Sequence, residues 1–239
     1  MSDKEKTKKD VICTGVREVD EKLGGGIPIG SLGLIEGQSD AGKSVLSQHL
    51  THGALNSGDM RVAYYTTENT VKSLIVQMDS LSLFTLDHFL ADHLRIYPLN
   101  LHSDLRDGRQ RFHIISDHMS TLPKQFRLII VDSITLLVAH SNPVAVMDFF
   151  WACKRVCEEG RAVLLVAHSY AFEEEMLSRT RSLCDAHLRL KLEQIGDRLV
   201  KIMEVLKVRG ADRPTGDVVS FDIEPKTGMR IIPLAKAKV

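Results

Sequence analysis

The sequence has no excess charge of either sign. Its 239 residues include 31 Lys and Arg residues and 31 Asp and Glu residues, so the formal net charge is zero. A strongly basic chain would indicate a nucleic-acid partner, and this one lacks that electrostatic footprint, although a local basic patch could still exist. Composition therefore predicts no nucleic-acid partner.

Cysteine motifs and long apolar segments are also missing. The four cysteines, Cys13, Cys153, Cys157 and Cys184, form no CxxC pair, and no nearby His or Cys completes a metal site around Cys153 and Cys157. The longest apolar runs are too short to cross a bilayer. The charged start MSDKEKTKKD lacks the apolar core of a signal peptide. We expect buried free thiols, a cytoplasmic location and membrane association only through partners.

The remaining composition is that of a globular protein. Hydrophobic residues make up 44% and charged residues 26% of the chain, which are ordinary proportions for a soluble domain. A chain of this length can bury enough surface to fold without a disulfide or a metal. We predict a flexible tail over residues 1–12 and a single domain over residues 13–239.

Apolar patterning predicts an α/β fold. The predicted helices are residues 16–23, 43–56, 70–81, 109–122 and 144–158. The predicted strands are residues 31–36, 61–67, 94–97, 128–131, 162–167, 186–193, 199–208, 218–222 and 229–232. The last strands alternate with period two, and the final pair flanks PKTG, a predicted hairpin turn. This order indicates a mostly parallel central sheet with helices on both faces, extended by antiparallel strands at the C-terminal end.

A phosphate-binding loop follows the first predicted sheet strand. The stretch GQSDAGKS matches G-x-x-x-x-G-K-[ST] between a covered strand and a helix. Main-chain amides of such a loop point at phosphate oxygens, while Lys43 reaches the β- and γ-phosphates and Ser44 holds Mg²⁺. A plain glycine-rich turn is the alternative. The predicted nucleotide contacts are Gly37, Ser39, Asp40, Ala41, Gly42, Lys43, Ser44 and Val45.

Asp40 is unexpected inside this loop, because a carboxylate repels phosphate. Its side chain must therefore point outward, or its backbone must adopt the left-handed conformation that glycine often supplies. Asp and Asn are enriched in that conformation among the other residues.

Acidic residues at strand ends are candidates for holding Mg²⁺ and for activating the attacking water. Asp132 follows the covered strand LIIV and is the predicted second Mg²⁺ residue, unless it only caps the next helix. Glu68, in YYTTEN, is the candidate base for the attacking water, and the same segment contains residues suited to cap a helix. His168 and Ser169 end another strand, where they could sense a γ-phosphate or simply face solvent.

The run GVREVDEKLGGGIPIGSLGLIEGQSDAGKS resembles the opening of RecA-superfamily ATPases of the KaiC type, and VLKVRG is similar to their Lys-x-Arg-Gly element. The resemblance implies a RecA-like P-loop domain that binds ATP and Mg²⁺ and assembles into a ring, a homo-hexamer. It also implies that Lys207 and Arg209 reach the nucleotide of a neighbouring subunit. Without the resemblance, these two residues could equally be solvated residues on one face of a strand.

Longer strings resemble one branch of those ATPases. The Asp of GQSDAGKS together with TTENTVKSLIVQMDSLS, RIYPL and AHSYAF is similar to the FlaH family of the archaeal flagellum, or archaellum. This resemblance implies an ATP-binding regulatory subunit at the cytoplasmic face of the cell membrane. The implied partners are the motor ATPase (FlaI-like), the membrane platform protein (FlaJ-like) and scaffold ring proteins.

One departure from the KaiC pattern concerns hydrolysis. KaiC-type enzymes carry paired acids where this chain has Glu68 followed by Asn69, and an amide cannot act as a base at neutral pH. We therefore expect weak or absent ATP hydrolysis, with ATP acting as a signal. The alternatives are an active ATPase on DNA or an autokinase. The predicted loop SYAFEEEML is acidic, which disfavours DNA, although Arg179 and Arg181 follow it, and no Ser or Thr is marked as a phosphate acceptor.

Overall fold

The computed structural model of the chain describes residues 10–58, 60–99 and 108–232. Its strands are β1 Val11–Ile12, β2 Ile27–Pro28, β3 Leu32–Gly37, β4 Arg61–Thr66, β5 Leu94–Pro98, β6 Phe126–Asp132, β7 Ala162–His168, β8 Ala186–Ile195, β9 Arg198–Val208, β10 Val218–Glu224 and β11 Gly228–Ile231. Its helices are α1 Arg17–Lys22, α2 Lys43–Asn56, α3 Val71–Ser80, α4 Leu86–Leu90, α5 Gly108–Thr121, α6 Thr135–Ala139, α7 Pro143–Glu158 and α8 Glu174–Leu183, with a short 3₁₀ helix at Ser169–Ala171. Each predicted helix and strand is present, with bounds that differ by no more than two residues.

The main sheet has the strand order β11-β10-β9-β8-β3-β7-β6-β4-β5 among the described residues. The strands from β8 to β5 in this order are parallel, and the pairs β8–β9, β9–β10 and β10–β11 are antiparallel. The predicted α/β class is therefore confirmed. β8 joins the two parts of the sheet: it is parallel to β3, because α8 carries the chain back across the sheet before β8 begins, and it opens the predicted antiparallel end by pairing with β9.

The central strands are apolar throughout because both faces of the sheet are covered. On β6, Leu128 and Ile130 pack into the cluster that includes α2, whereas Ile129 and Val131 pack into the cluster that includes α5 and α7. All four side chains are fully buried. Burial on both faces explains why this strand reads as a continuous apolar run rather than an alternating one.

The predicted tail extends too far into the domain. Val11–Ile12 form β1, which pairs with β2, and Ile12 is fully buried in the main core. Two-residue strands carry no periodic signal, so these short elements were not predicted. The prediction of a tail over residues 1–9 lies outside the described residues.

The segment after β7, predicted as the loop SYAFEEEML, contains the start of helix α8. Glu174 and Glu175 lie in the first helical turn, where negative charge is stabilised by the positive end of the helix dipole. Met176 and Leu177 pack into the core cluster beneath α7. The acidic run is therefore a helix start.

None of the described helices combines the length and apolarity needed to span a membrane.

Three of the four cysteines are buried free thiols, as predicted. Burial raises the pKa of the Cys157 and Cys184 thiols to about 12, and it raises the pKa of Cys153 well above its usual range. Cys13 is only half-buried. No group of side chains among the described residues is arranged to hold a metal through three or more His, Cys, Asp or Glu ligands.

Candidate nucleotide-binding site

The phosphate loop lies at the carboxyl end of β3, where α2 begins. Gly37 is the last residue of β3, Lys43 is the first of α2, and Gly42 occupies the N-cap position with φ +94°. No side chain within the described ranges caps this end of α2, so its first amides remain available to an anion, and the helix dipole favours negative charge there. The local geometry therefore provides a concave set of amide donors suited to phosphate oxygens.

Close packing from the C-terminal strands explains both loop glycines. A Cβ atom on Gly37 would lie 1.8 Å from the carbonyl oxygen of Leu190 on β8. A Cβ atom on Gly42 would lie 3.1 Å from the ring of Phe221 on β10. The loop is thus braced by strands that follow it by about 150 residues or more in the sequence, a contribution that the motif alone did not reveal.

Asp40 meets both of the conditions predicted for it. Its backbone is left-handed, with φ +59°, and its side chain is exposed to solvent. The carboxylate nevertheless lies close enough to Lys43 to favour the charged form of that lysine. Asp40 therefore replaces glycine in the turn and adds a negative charge at the rim of the site.

An open cavity of about 430 Å³ lies against this loop. It brings together most of the predicted site residues, from the loop, β4, β6 and β7, and one residue of β10. Its lining residues are Ser39, Asp40, Gly42, Lys43, Ser44, Val45, Glu68, Asp132, Ser133, Val166, His168 and Ile223. Of the predicted residues, Gly37 and Ala41 are buried and do not line the cavity, and neither do Lys207 and Arg209.

Lys43 spans the mouth of the phosphate loop. Its side chain is 6% exposed, its Nζ donates a hydrogen bond to the carbonyl oxygen of Gln38, and the same atom lies 3.5 Å from Nδ1 of His168. Burial lowers the pKa of this lysine, while the negative charges of Asp132, Glu68 and Asp40 oppose that shift. A cation restrained in this position can bind terminal phosphate oxygens as a point charge.

Asp132 and Ser44 are the two residues predicted to supply oxygen ligands to Mg²⁺. Ser44 Oγ donates a 3.2 Å hydrogen bond to Asp132 Oδ1, and the Tyr64 hydroxyl donates a 2.7 Å bond to Oδ2. Burial raises the pKa of Asp132, and the hydrogen bonds from Tyr64 and Ser44 act against that rise. The alternative role as a helix cap is wrong, because α6 begins after Ile134 and has no side-chain cap. A carboxylate and a hydroxyl fit the oxygen preference of Mg²⁺.

Glu68 lines the cavity, but its side chain is exposed. Its carboxylate has no hydrogen-bond or ion-pair partner within the described ranges, and its main-chain N–H donates to Thr66 Oγ1. Thr70, not Glu68, caps α3 in a capping box with Ser73. Asn69 accepts a 3.1 Å hydrogen bond from the Ser73 hydroxyl and so belongs to that cap. Glu68 can approach a water in the cavity, but nothing in the described structure orients it.

The structure separates the two residues at the end of β7. His168 faces the cavity, where Nδ1 lies 3.4 Å from Ser39 Oγ, and burial followed by the charge of Lys43 lowers the pKa of its ring. Ser169 points the other way and donates a 2.7 Å hydrogen bond to Glu36. Only His168 is therefore positioned to contact a phosphate directly.

Lys207 and Arg209 lie toward the opposite end of the sheet from the phosphate loop. Lys207 on β9 is paired with His187 on β8, whose partner on β3 is Leu34, three residues before Gly37. That separation is roughly 10 Å along the strand at about 3.3 Å per residue. Lys207 and Arg209 therefore do not reach the cavity of their own subunit. A role at a neighbouring subunit stays a prediction.

Sequence reasoning missed three contributors to the site. Tyr64 orients Asp132, Ile223 closes one wall of the cavity, and Glu36 lies buried directly before the phosphate loop. The one local signal was the charged Glu36 at the end of an otherwise apolar strand. The partners of these residues are distant in the sequence, so spacing could not identify them.

Comparisons with known proteins identify relatives that match almost the whole chain. A family model described as "ATPase: KaiC" matches residues 12–236. The archaeal flagellar ATP-binding protein FlaH of Sulfolobus acidocaldarius is 32% identical over 95% of this chain and 99% of its own length. FlaH of Methanocaldococcus jannaschii is 30% identical over 90% of this chain and 91% of its own length.

A solved structure has the same fold. The crystal structure of flagellar accessory protein FlaH from Methanocaldococcus jannaschii superposes with a TM-score of 0.84 at 28% identity, covering 95% of this chain and 100% of that one. The RecA-like α/β fold expected from the sequence is thereby confirmed. Because the family model and the FlaH relatives match almost the whole chain, it belongs to the FlaH family of archaeal flagellar ATP-binding proteins, within the KaiC branch of the RecA superfamily.

Proposed function

We propose that this chain is a regulatory subunit of the archaellum motor in which ATP occupancy, with little or no hydrolysis, controls docking. The docking partners are the FlaI-like motor ATPase, the FlaJ-like membrane platform protein and the scaffold ring proteins, at the cytoplasmic face of the membrane. One observation carries the proposal: the cavity combines the phosphate loop and Lys43 with Glu68, a candidate base whose exposed carboxylate no described residue orients. Such a site is better suited to retaining ATP than to activating water.

ATP and Mg²⁺ fit the residues present. The loop amides and Lys43 would bind the phosphate groups, and Ser44 and Asp132 would hold Mg²⁺, directly or through water. Mg²⁺ supplies positive charge that neutralises the phosphate oxygens when it is bound. The fit is supported by the hydrogen bond between Ser44 and Asp132 and by the Tyr64 bond that orients the same carboxylate.

Slow turnover follows from the surroundings of Glu68. A general base needs to lie within hydrogen-bond reach of the water that it deprotonates, and the reacting groups need fixed orientation. Glu68 is exposed and Asn69 is engaged in the cap of α3. Because position 69 holds an amide rather than a second acid beside Glu68, the site is suited to binding ATP for long periods without hydrolysis.

Assembly into a hexameric ring is part of the proposal. Lys207 and Arg209 lie away from their own cavity but close to the protein surface, with the Arg209 side chain 59% exposed. In the proposed ring, Lys207 and Arg209 would contact the nucleotide bound in the neighbouring subunit's cavity. Positive charge supplied across an interface stabilises bound phosphoryl groups.

Binding energy alone is sufficient for such a switch. A ligand present at about a hundred times its dissociation constant shifts a two-state equilibrium by about 2.7 kcal/mol when only one state binds it. That shift changes the population ratio by roughly a hundredfold. Docking controlled by occupancy therefore requires no turnover.

The test compares Lys43→Ala with Glu68→Gln, using calorimetry for ATP binding with Mg²⁺, phosphate release for turnover, and titration against the purified motor ATPase for docking. We expect Lys43→Ala to lose ATP binding and nucleotide-dependent docking, and Glu68→Gln to retain both. Loss of docking in Glu68→Gln with ATP binding intact would show that turnover is required. Equal docking of the unmodified chain with and without ATP would refute control by occupancy.

A further inference from the structure

Glu36, the residue before the phosphate loop, is a fully buried carboxylate in an ionic cluster. Its Oε1 lies 2.5 Å from Arg181 Nη2 and 2.7 Å from His187 Nε2. Its Oε2 accepts a 2.7 Å hydrogen bond from the Ser169 hydroxyl. Arg189 Nε approaches the same carboxylate at 3.5 Å. Ser169 begins the 3₁₀ helix after β7, Arg181 lies on α8, and His187 and Arg189 lie on β8.

The cluster keeps Glu36 ionised. Burial acts to raise the pKa of its carboxyl, but hydrogen bonds from His187 and Ser169 and the charge of Arg181 outweigh burial and hold the pKa at about 2. An ionised carboxylate without access to water requires all of its partners in place. The relative positions of Ser169, Arg181 and His187 are therefore strongly constrained by this one side chain.

One side of the cluster adjoins the nucleotide cavity. Gly37 of the phosphate loop directly follows Glu36. Ser169 directly follows His168, whose ring faces Ser39 and Lys43. Any ligand that restrains His168 or the loop therefore acts on residues that are bonded to Glu36 or adjacent to it in the chain.

The other side of the cluster leads to Lys207. Arg181 lies on α8, and its main-chain carbonyl oxygen accepts a 2.8 Å hydrogen bond from Lys207 Nζ. The position of α8 thus determines where the Lys207 ammonium group is held. The connection from the cavity to Lys207 consists of His168–Ser169, Glu36 and Arg181, each in direct contact with the next.

We propose that Glu36 is a positioning residue that couples the phosphate end of the cavity to α8 and Lys207, so that bound ATP orders the surface which carries Lys207. This inference rests on the proposed function and deepens it, because it names the route by which occupancy is communicated. Phosphate held by Lys43 and His168 restrains the turn at Ser169. The Ser169–Glu36 bond then passes that restraint to Arg181 and the helix that contains it.

Hydrogen–deuterium exchange with and without ATP and Mg²⁺ tests the coupling. We expect ATP to slow exchange in the phosphate loop and also in α8 and the Lys207 end of β9. In Ser169→Ala the loop should keep its protection, while the ATP-induced protection of α8 should fall by about tenfold, the effect of one hydrogen bond to a charged group. Light scattering measures the oligomeric mass of each sample. Exchange is compared only between samples of equal oligomeric mass, so that protection caused by assembly is not counted as coupling.

Matched controls separate coupling from general loosening of α8. Ser182→Ala removes an exposed hydroxyl that bonds within α8, and Arg179→Gln removes an exposed pair with Glu175. Both should leave ATP-induced protection of α8 intact. Arg181→Gln, a second test that leaves Ser169 in place, should abolish it while ATP affinity changes little.

The outcomes distinguish the two proposals. Protection of the loop but not of α8 in the unmodified chain, or undiminished α8 protection in Ser169→Ala, overturns the coupling and leaves ATP binding standing. An equal loss in Ser182→Ala also overturns it. If ATP protects nothing in the unmodified chain, the proposed function fails and the coupling fails with it.

Discussion

The Tyr64 hydroxyl donates a 2.7 Å hydrogen bond to Asp132 Oδ2, which leaves Oδ1 facing Ser44. Tyr64 is fully buried, and burial together with the negative charge of Asp132 raises the pKa of its hydroxyl well above the usual range. The tyrosine therefore remains a donor at all ordinary pH values. One strand residue thus fixes the orientation of the carboxylate proposed to hold Mg²⁺.

Tyr64→Phe should weaken the Mg²⁺-dependent part of ATP binding by roughly tenfold, because residues that orient metal ligands typically contribute about 10- to 100-fold in affinity. Calorimetry with Mg²⁺ and with EDTA measures that part directly. Tyr65→Phe is the matched control, since its hydroxyl pairs with His118 on the other face of the sheet. Equal losses in the two variants, or a loss that persists in EDTA, would contradict the role of Tyr64.

Asp40→Asn should increase ATP affinity by about two- to fivefold at low ionic strength, because it removes one negative charge at the rim of the cavity. Asn tolerates the left-handed backbone that this position requires. The gain should shrink as salt rises, since exposed charges are screened. Weaker binding by Asp40→Asn would mean that the carboxylate contacts the ligand or its cation favourably.

Asp40→Ala is a second variant that distinguishes the effect of the carboxylate charge from the effect of the left-handed backbone conformation. It removes the same charge but places a residue without a polar side chain at φ +59°, which costs about 1 kcal/mol. We expect similar ATP affinity to Asp40→Asn and a lower free energy of unfolding, measured by urea denaturation. Identical stability of the two variants would contradict the backbone argument.

Gly37→Ala should lower the free energy of unfolding by about 3 kcal/mol or more, because the added Cβ would overlap the Leu190 carbonyl oxygen. Gly160→Ala isolates the effect of the clash: its φ is +87°, but no atom of the described residues lies within 4 Å of the new Cβ. The control should lose only about 1 kcal/mol. Chemical denaturation measures the free energy of unfolding of both variants. Equal losses would show that backbone strain, rather than overlap with Leu190, requires glycine at position 37.

Acid should destabilise the fold through His49. Burial lowers the pKa of this ring to about 4, and its Nε2 accepts a 2.9 Å hydrogen bond from the Met229 N–H. Because the folded pKa lies below the unfolded value of 6.5, the unfolded chain binds the proton more readily. The stabilisation is complete above pH 6.5 and declines by about 3 kcal/mol as the pH falls to 4.

The pH dependence is measured as the free energy of unfolding between pH 7 and about pH 5.5, because the Glu36 carboxyl has a pKa of 4.5 in the unfolded chain and protonates mainly below that window. His49→Gln keeps an acceptor for Met229 and should make the slope shallower. Some slope should remain, because burial also lowers the pKa values of His52, His88 and His168. His140→Gln changes an exposed histidine and should leave the slope unaltered. An unchanged slope in His49→Gln would assign the acid sensitivity to other groups.

Much of this protein could be predicted from its sequence because the relevant signals are local. The phosphate loop occupies eight consecutive residues between a covered strand and a helix, and α2 spans the predicted residues without correction. Apolar periodicity located every long helix and strand of the described ranges except α8. The acidic start of α8 was interpreted as a loop because charge obscured the buried face formed by Met176 and Leu177.

Only the tertiary structure decided how distant residues combine around that loop. Tyr64 and Asp132 are 68 residues apart, and Glu36 and Arg181 are 145 residues apart. The parallel pairing of β8 with β3, which a helical crossover produces, brings Leu190 against Gly37 and His187 against Glu36. Sequence patterns report the local preferences of a backbone, whereas the partners of a buried charge are set by which strands become neighbours in the sheet.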